Sequence, residues 1–271
     1  MTEARIEPSP DGVPGAVTDP ATLRGEELTY PGYAGDAVNA FLARPAETGA
    51  LPGMVVIHEA GGLNEHIRDV VARIAQLGYV TIGVDLYTRE GGPPEPGNMN
   101  AIMERIFSLP DERVLEDLTG AIDVLRGRRD ARGPVGIIGF CMGGRYSLLA
   151  ACSLTGLDAA VDCWGGFIDR STPDEVTTPE RPRPPLDLVA GLGCPLMAAV
   201  GAEDQNPSPA LGELLAERAI AAGKDITVDV YDGAGHAFFA DYRPSYRPGP
   251  AHELWSRVVP FLHRHLQGDT G

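Results

Sequence analysis

The sequence predicts an α/β fold in which a mostly parallel sheet of about eight strands carries helices on both faces. Short apolar runs typical of buried strands alternate with longer segments in which apolar residues recur at helical spacing. Glycine, proline and acidic residues separate the two kinds of segment. Strands that alternate with helices form parallel sheets, because each helix is the crossover between two neighbouring strands.

The first elements form an antiparallel hairpin followed by a buried strand and a helix. Residues 26–30 and 38–43 are predicted strands joined by a turn rich in proline and glycine. The apolar run at 54–57 is typical of a strand buried on both faces. Apolar residues then recur at helical spacing until Gly78 ends the helix, at Ile67, Val70, Val71, Ile74 and Leu77.

The same alternation continues to the end of the chain. Further buried strands are predicted at 79–84, 135–140, 159–163, 195–200 and 226–231. The helices between and after them are predicted at 114–125, 142–151, 209–222 and 251–266. In sheets of this type the active site gathers at the carboxyl ends of the strands.

Two segments interrupt this pattern. Residues 1–24 are rich in proline, glycine and aspartate and have no periodicity, so we expect a mobile lead-in. Residues 25–268 are then predicted to form a single domain, as α/β folds of this length commonly do. Within it, the proline-rich stretch 169–194 predicts a surface excursion that leans over the active site.

The composition restricts the partners of the protein. Lys and Arg number 22 against 38 Asp and Glu, a net charge of −16 that repels nucleic acid and anionic membranes. No apolar run approaches the roughly 20 residues of a membrane span, and the N-terminus lacks a secretory signal pattern. We therefore expect a cytoplasmic protein. Its four cysteines form no C-x-x-C pair, which disfavours a disulfide framework or a zinc knuckle and leaves a free thiol for chemistry.

A nucleophile elbow is predicted where the strand at 135–140 meets its helix. The sequence Gly-Phe-Cys-Met-Gly-Gly at 139–144 places Cys141 between small residues, because strand and helix approach so closely there that larger side chains would collide. The start of a helix also favours a thiolate. Alternatively, Cys141 is a small buried apolar residue and the glycines only permit a tight turn.

Two further residues favour the catalytic interpretation. Asp204 follows the strand at 195–200, and His236 follows the strand at 226–231. Nucleophile, acid and histidine come in this chain order in α/β-hydrolases. Alone, Asp204 would be interpreted as a turn or cap residue and His236 as a surface histidine. Together they predict a triad on an α/β-hydrolase fold.

The chemistry assigns a role to each group. His236 takes the thiol proton and returns it to the leaving oxygen, while Asp204 holds the imidazole in the correct tautomer. The oxyanion needs two N–H donors, which we predict to be those of Met142 and Ala60. Ala60 lies in the loop after the strand at 54–57.

These motifs resemble the dienelactone hydrolase (carboxymethylenebutenolidase) family. The matching residues are Gly-Phe-Cys-Met-Gly-Gly at 139–144, His-Glu at 58–59, Asp-Leu-Tyr at 85–87 and Gly-His-Ala-Phe at 235–238. In that family the glutamate matching Glu59 contacts the resting cysteine and helps to activate it when substrate arrives. The resemblance gives Glu59 this role, and a solvated loop glutamate is the alternative.

The resemblance also implies how the substrate is held. The family's substrate is an unsaturated lactone whose carboxylate is gripped by arginines, and Arg89 stands where one of them is expected. The other is expected four residues after the histidine, where this chain has Ala240. Arg243 or Arg247 is predicted to replace it, and both could equally be solvated surface residues. This departure puts dienelactone itself in doubt as the substrate.

Aromatic residues near these motifs complete the predicted pocket. Tyr87, Trp164 and Phe238 are expected to line it, with core packing as the alternative for Trp164. His58 and His66 with neighbouring glutamates lack the spacing of a zinc protease, so we predict neither a metal nor a cofactor.

The sequence thus favours an enzyme that opens a lactone or small ester, with or without a carboxylate, through a cysteine acyl-enzyme. A second hypothesis keeps the triad but passes the acyl group elsewhere, as in a thioesterase or a cyclising biosynthetic enzyme. A third, from another class, is a binding protein that captures a small carboxylated ligand without turnover.

Overall fold

A central sheet organises the computed structural model, which describes residues 1–47, 49–169 and 178–268. The described residues form nine strands in the order β1-β2-β3-β5-β4-β6-β7-β8-β9. Their bounds are β1 Thr2–Ala4, β2 Leu23–Pro31, β3 Ala37–Pro45, β4 Leu51–Ile57, β5 Val80–Val84, β6 Ala131–Phe140, β7 Ala159–Cys163, β8 Leu196–Gly201 and β9 Ile226–Tyr231. The predicted α/β class and mostly parallel sheet are confirmed.

The pairing of the strands changes once across the sheet, from antiparallel to parallel. Strands β1, β2, β3 and β5 pair antiparallel, whereas β5, β4, β6, β7, β8 and β9 pair parallel. The parallel strands β5, β7 and β8 are buried along their whole length, which explains their largely apolar sequences. Strand β4 has β5 on one side and β6 on the other, so the strand order reverses there. Ligands of open α/β sheets bind at such a switch point.

Six α-helices among the described residues cover the sheet. They are α1 Glu65–Ala75, α2 Met99–Phe107, α3 Asp111–Gly127, α4 Met142–Ser153, α5 Pro209–Ala221 and α6 Pro248–Leu262. Leu118 of α3 and Leu149 of α4 pack in the core on one face, while Ile67 of α1 and Leu254 of α6 pack in the core on the other. No helix in the described ranges is both long enough and apolar enough to cross a membrane.

The N-terminal residues lie against the body of the fold. Strand β1 pairs with β2, Ser9 Oγ donates to Asp69 Oδ1 at 2.5 Å, and Val17 is buried in the core. The sequence did not indicate β1, because three residues carry no measurable alternation. Helix α2 was likewise unpredicted, in a stretch of loop-forming residues. The mobility expected of residues 1–24 stays a prediction.

Only part of the proline-rich excursion at 169–194 is described, because residues 170–177 lie outside the described residues. The part at 178–194 is anchored to the domain by Arg181, whose buried guanidinium reaches between α2 and α4. Its Nη2 donates to Tyr146 Oη at 3.1 Å and its Nε to the Leu109 carbonyl at 3.4 Å. This segment therefore packs against the same face of the sheet as α4.

A buried ion pair joins α3 to α4, the helix that begins directly after Cys141. Arg145 donates from Nη1 and Nη2 to the two carboxylate oxygens of Asp111, at 2.7 and 3.1 Å. The exposed fractions of the two side chains are 2% and 9%. Breaking such a pair leaves a buried charge uncompensated, which costs far more than losing a surface pair.

We predict that Asp111→Ala lowers the free energy of unfolding by about 3–5 kcal/mol, because Arg145 stays buried without its counter-charge. Chemical denaturation followed by circular dichroism measures the change. Glu253→Ala is the control, since it removes an exposed partner of Arg257 and should cost under about 1 kcal/mol. Equal effects of the two substitutions would contradict the prediction.

Candidate active site

Cys141 sits at the sharp turn between β6 and α4. Its backbone has φ 55° and ψ −117°, a conformation that non-glycine residues rarely adopt. Its N–H donates to the Cys163 carbonyl at 2.9 Å, and its carbonyl accepts from the Arg145 N–H at 3.1 Å. The turn therefore holds the thiol at the carboxyl edge of the sheet, as the predicted elbow requires.

The glycines around Cys141 allow a close contact of backbone with backbone. A Cβ on Gly139 would collide with the backbone of Gly143, and a Cβ on Gly143 would collide with the carbonyl oxygens of Ile57 and His58. The first turn of α4 thus lies directly on the end of β4. This contact places Cys141 beside the loop that follows β4.

His236 and Asp204 form the hydrogen-bonded pair that the sequence predicted. Nδ1 of His236 lies 2.8 Å from Oδ2 of Asp204, and the other carboxylate oxygen accepts from the Asn206 N–H at 3.0 Å. Asp204 is buried at 4% exposure, whereas the His236 side chain is 37% exposed. Because Nδ1–H donates to Asp204, Nε2 is the imidazole nitrogen left for Cys141.

The charge of His236 depends on Cys141. Burial opposes protonation of the imidazole, but the negative charge of the Cys141 thiolate and the hydrogen bond to Asp204 outweigh it. A hydrogen bond with Cys141 contributes as well, and together these interactions raise the pKa of His236 to about 10. The arrangement therefore favours the imidazolium form of His236.

The loop after β4 is fixed by a buried histidine. His58 contacts the Glu59 carbonyl through Nδ1 at 2.6 Å, and its Nε2 accepts from the Leu86 N–H at 3.1 Å. Burial lowers the pKa of His58, so the ring is neutral with its proton on Nδ1.

Ala60 follows this anchored segment, and Met142 is the first residue of α4, where N–H groups have no partner within the helix. Their role as oxyanion donors stays a prediction.

Glu59 is a buried residue that contacts two partly exposed residues of the loop after β9. Its Oε1 accepts a hydrogen bond from the Tyr242 hydroxyl and forms an ion pair with Arg243 Nη2, at 2.6 Å. Arg243 Nε also donates to the Tyr242 hydroxyl at 2.9 Å. The Glu59 side chain is 3% exposed and that of Arg243 is 36% exposed. The carboxylate is thus hidden, and the guanidinium that holds it faces solvent.

Arg243 is electrostatically close to Cys141. Burial lowers the pKa of its guanidinium, while the charges of Glu59 and Cys141 and the hydrogen bond with Tyr242 raise it, and the net direction is upward. Of the two arginines predicted for this loop, Arg243 therefore reaches the cluster around Cys141. Arg247 instead donates to the carbonyls of Pro244 and Tyr246.

Arg89 has other partners in the structure. Its guanidinium makes two hydrogen bonds to Asp117, at 2.8 and 3.0 Å, and one to Asp36 at 3.0 Å. The sequence predicted that Arg89 would hold a substrate carboxylate, but these carboxylates of the protein occupy it instead. Arg89 thus joins the turn between β2 and β3 to α3.

The three predicted aromatic residues fall into two groups. Tyr87 is buried beside the elbow, where its hydroxyl donates to Met142 Sδ at 3.4 Å. Burial and the charge of Cys141 raise the pKa of Tyr87, which places the phenol near the thiol. Trp164 and Phe238 pack against each other with ring centroids 4.7 Å apart and ring planes tilted by 54°, and they are 1% and 0% exposed. They lie in the core on the α6 side of the sheet, so core packing is the role that their placement favours.

Tyr242 is the residue of this site that the sequence did not indicate. It lies between Asp241 and Arg243 in a stretch without periodicity, and nothing in its spacing distinguishes it from a surface tyrosine. Across the described ranges, no group of three or more His, Cys, Asp or Glu side chains is arranged to hold a metal ion.

Known proteins resemble this chain over nearly its whole length. The model of the dienelactone hydrolase family matches residues 38–266. A protein of Methylorubrum extorquens named "Putative carboxymethylenebutenolidase" is 36% identical over 92% of this chain and 84% of its own. A Bradyrhizobium protein named "Probable 2-oxo-3-(5-oxofuran-2-ylidene)propanoate lactonase" is 33% identical over 88% of this chain and 93% of its own. A crystal structure from Klebsiella pneumoniae, titled as a putative dienelactone hydrolase, is 31% identical with a TM-score of 0.82, covering 89% and 99% of the two chains.

We predict that Cys141→Ala lowers the pKa of His236, because the substitution removes both the thiolate charge and its hydrogen bond. An NMR titration of the imidazole in the wild type and the variant measures this shift. The raised pKa stabilises the folded protein fully below the unfolded pKa of histidine, and this contribution disappears as the pH rises through about 10. Cys163→Ala is the control, since Cys163 is a buried core cysteine, and an equal shift there would contradict the prediction.

Proposed function

This chain belongs to the dienelactone hydrolase family, and from that premise we propose that Cys141 is the nucleophile that opens a lactone or small ester through an acyl-enzyme. The chain is a hydrolase that acts on lactone or ester bonds. The observation that supports a cysteine mechanism is the 2.8 Å bond between Asp204 and His236, with Cys141 in hydrogen-bonding range of the same imidazole.

The proposed reaction proceeds in two halves. His236 holds the proton of the thiol, and the thiolate of Cys141 attacks the substrate carbonyl. The N–H groups of Met142 and Ala60 stabilise the oxyanion. The carbon–oxygen bond of the ester then breaks, and His236 gives its proton to the leaving oxygen. Water, deprotonated by His236, attacks the thioester, and the acid leaves as Cys141 is restored.

Glu59 and Arg243 give a way to couple this chemistry to the substrate. Family resemblance assigns Glu59 to activation of the resting cysteine, and in this chain Arg243 and Tyr242 hold its carboxylate. A substrate carboxylate would compete with Glu59 for the half-exposed guanidinium. We propose that this exchange frees Glu59 to act on Cys141.

The proposed substrate is therefore a lactone or ester that carries a carboxylate. The Bradyrhizobium relative is named as a lactonase for a propanoate, a compound with both groups. The Arg243 side chain is 36% exposed, whereas the Arg89 side chain is 17% exposed and bound to Asp117 and Asp36. We propose that Arg243, three residues beyond the position of Ala240, takes the place of the family's second arginine.

We predict that Cys141→Ala abolishes ester and lactone turnover, reducing kcat by at least about 10⁴-fold, because no other group supplies the nucleophile. Mass spectrometry of the wild type mixed with an activated ester should show an acyl adduct on the peptide that contains Cys141. Cys152→Ala is the control, because Cys152 lies in α4 away from the elbow. Full turnover by Cys141→Ala would refute the mechanism, and measurable binding with neither adduct nor turnover would indicate a binding protein.

We predict that Arg243→Ala lowers kcat/KM for carboxylated esters by about 10²-fold and for matched uncharged esters by much less, because a charge-assisted contact is lost. Arg247→Ala is the control on the same loop. Arg89→Ala is the third variant. We expect it to lower stability without a selective loss of activity toward carboxylated esters, since it removes a partner of the fully buried Asp117. If Arg89→Ala alone showed the selective loss, the carboxylate site would belong to Arg89.

A further inference from the structure

A buried arginine of α1 links this helix to the loop that holds Glu59. Arg73 is 0% exposed and lies between two carboxylates. Its Nε and Nη2 donate to Asp69 of the same helix, and Nη2 also donates to Oδ2 of Asp241 at 2.5 Å. Asp241 lies in the loop after β9, so this arginine fastens the loop to α1.

Asp241 has a second partner on α1. Its Oδ1 lies 3.1 Å from Nδ1 of His66, and the Asp241 side chain is 10% exposed. Burial alone would raise the pKa of this carboxyl, but the hydrogen bonds and charges of His66 and Arg73 outweigh burial and lower it. Asp241 is therefore held as a carboxylate by donors on both of its oxygens.

The two residues that grip Glu59 follow Asp241 directly in the chain. Tyr242 and Arg243 both bond to Glu59, and the His66 ring packs against Tyr242 with centroids 5.3 Å apart. Asn64, the cap of α1, also donates to the Tyr242 hydroxyl at 3.3 Å. Tyr242 and Arg243 are the next two residues, with Cα atoms about 3.8 Å apart along the chain, so a shift of the Asp241 backbone would also displace these two partners of Glu59.

We infer that Asp241 is a positioning residue for the reaction, which sets Tyr242 and Arg243 in place for Glu59 and for the substrate carboxylate. This inference rests on the proposed function, because it gives Arg243 a role in carboxylate recognition. Asp241 acts through its neighbours and does not touch the reacting atoms. Small displacements of positioned groups have large kinetic effects, since reacting geometry is sensitive to about 1 Å.

The chain contains a matched control for Asp241. Asp69 binds the same guanidinium of Arg73, but it lies on α1 and not beside Tyr242 and Arg243. Asp69→Asn and Asp241→Asn each remove one of the two carboxylates from a fully buried arginine. Both should lose stability, whereas only Asp241→Asn should release the loop that holds Glu59.

The test compares two alkylating reagents on Cys141. Iodoacetate carries a carboxylate and iodoacetamide does not, so the ratio of their rates reports recognition of a carboxylate beside the thiol. Rates are measured from the Cys141 peptide by mass spectrometry at neutral pH. We expect the ratio to fall about ten-fold in Asp241→Asn and to change by less than about two-fold in Asp69→Asn.

Two further outcomes decide the inference. Equal rate ratios in both aspartate variants would overturn the inference. If both ratios were lowered, the change would follow from Arg73, and if both were unchanged, Asp241 would have no effect. If Asp241→Asn does not fold, His66→Leu removes the other donor to Asp241 and should lower the ratio in the same direction. An unchanged ratio in that variant would overturn the inference as well.

Failure of the proposed function would look different. In that case complete alkylation of Cys141 in the wild type would leave ester turnover intact, whatever the ratios in the variants. Turnover that is lost on alkylation, together with equal ratios in the two aspartate variants, would leave the cysteine mechanism standing and remove the role given to Asp241.

Discussion

The contact between the end of β4 and the first turn of α4 is the constraint on which the rest of the site depends. Gly139 and Gly143 leave no side chain between the two elements, so the backbone of α4 touches the carbonyls of Ile57 and His58. This contact forces Cys141 into its positive φ and brings it beside the loop that carries Glu59 and Ala60. The other interactions at the site are arranged around this fixed position of Cys141.

Much of the fold and part of the site followed from local patterns in the sequence. The buried strands are continuous apolar runs, and the carboxyl ends of parallel strands meet at one edge. The order of Cys141, Asp204 and His236 along the chain was therefore enough to predict that they meet, and the 2.8 Å bond between His236 and Asp204 fits that prediction.

Contacts made by loops did not follow from the sequence. Arg89 matched a family position, but its direction depends on Asp117, a residue of α3 that is 28 positions away. Arg243 and Tyr242 lie on a loop whose course is set by Arg73 and His66 of α1. Such pairings join distant segments through single side chains, so neither periodicity nor spacing records them.

The two carboxylates of the site are held in different ways, and this difference separates their roles. Asp204 and Glu59 are each buried at 3% side-chain exposure behind a cation that is more than a third exposed, His236 and Arg243 respectively. Asp204 also accepts a backbone N–H, which ties it to its own loop. In the described ranges the Glu59 carboxylate is instead contacted by side chains of another loop. A backbone bond fixes a carboxylate whatever the ligand, whereas a side-chain ion pair can be exchanged for another anion. Asp204 is thus suited to steady His236 throughout the reaction, and Glu59 is suited to respond when a charged substrate arrives.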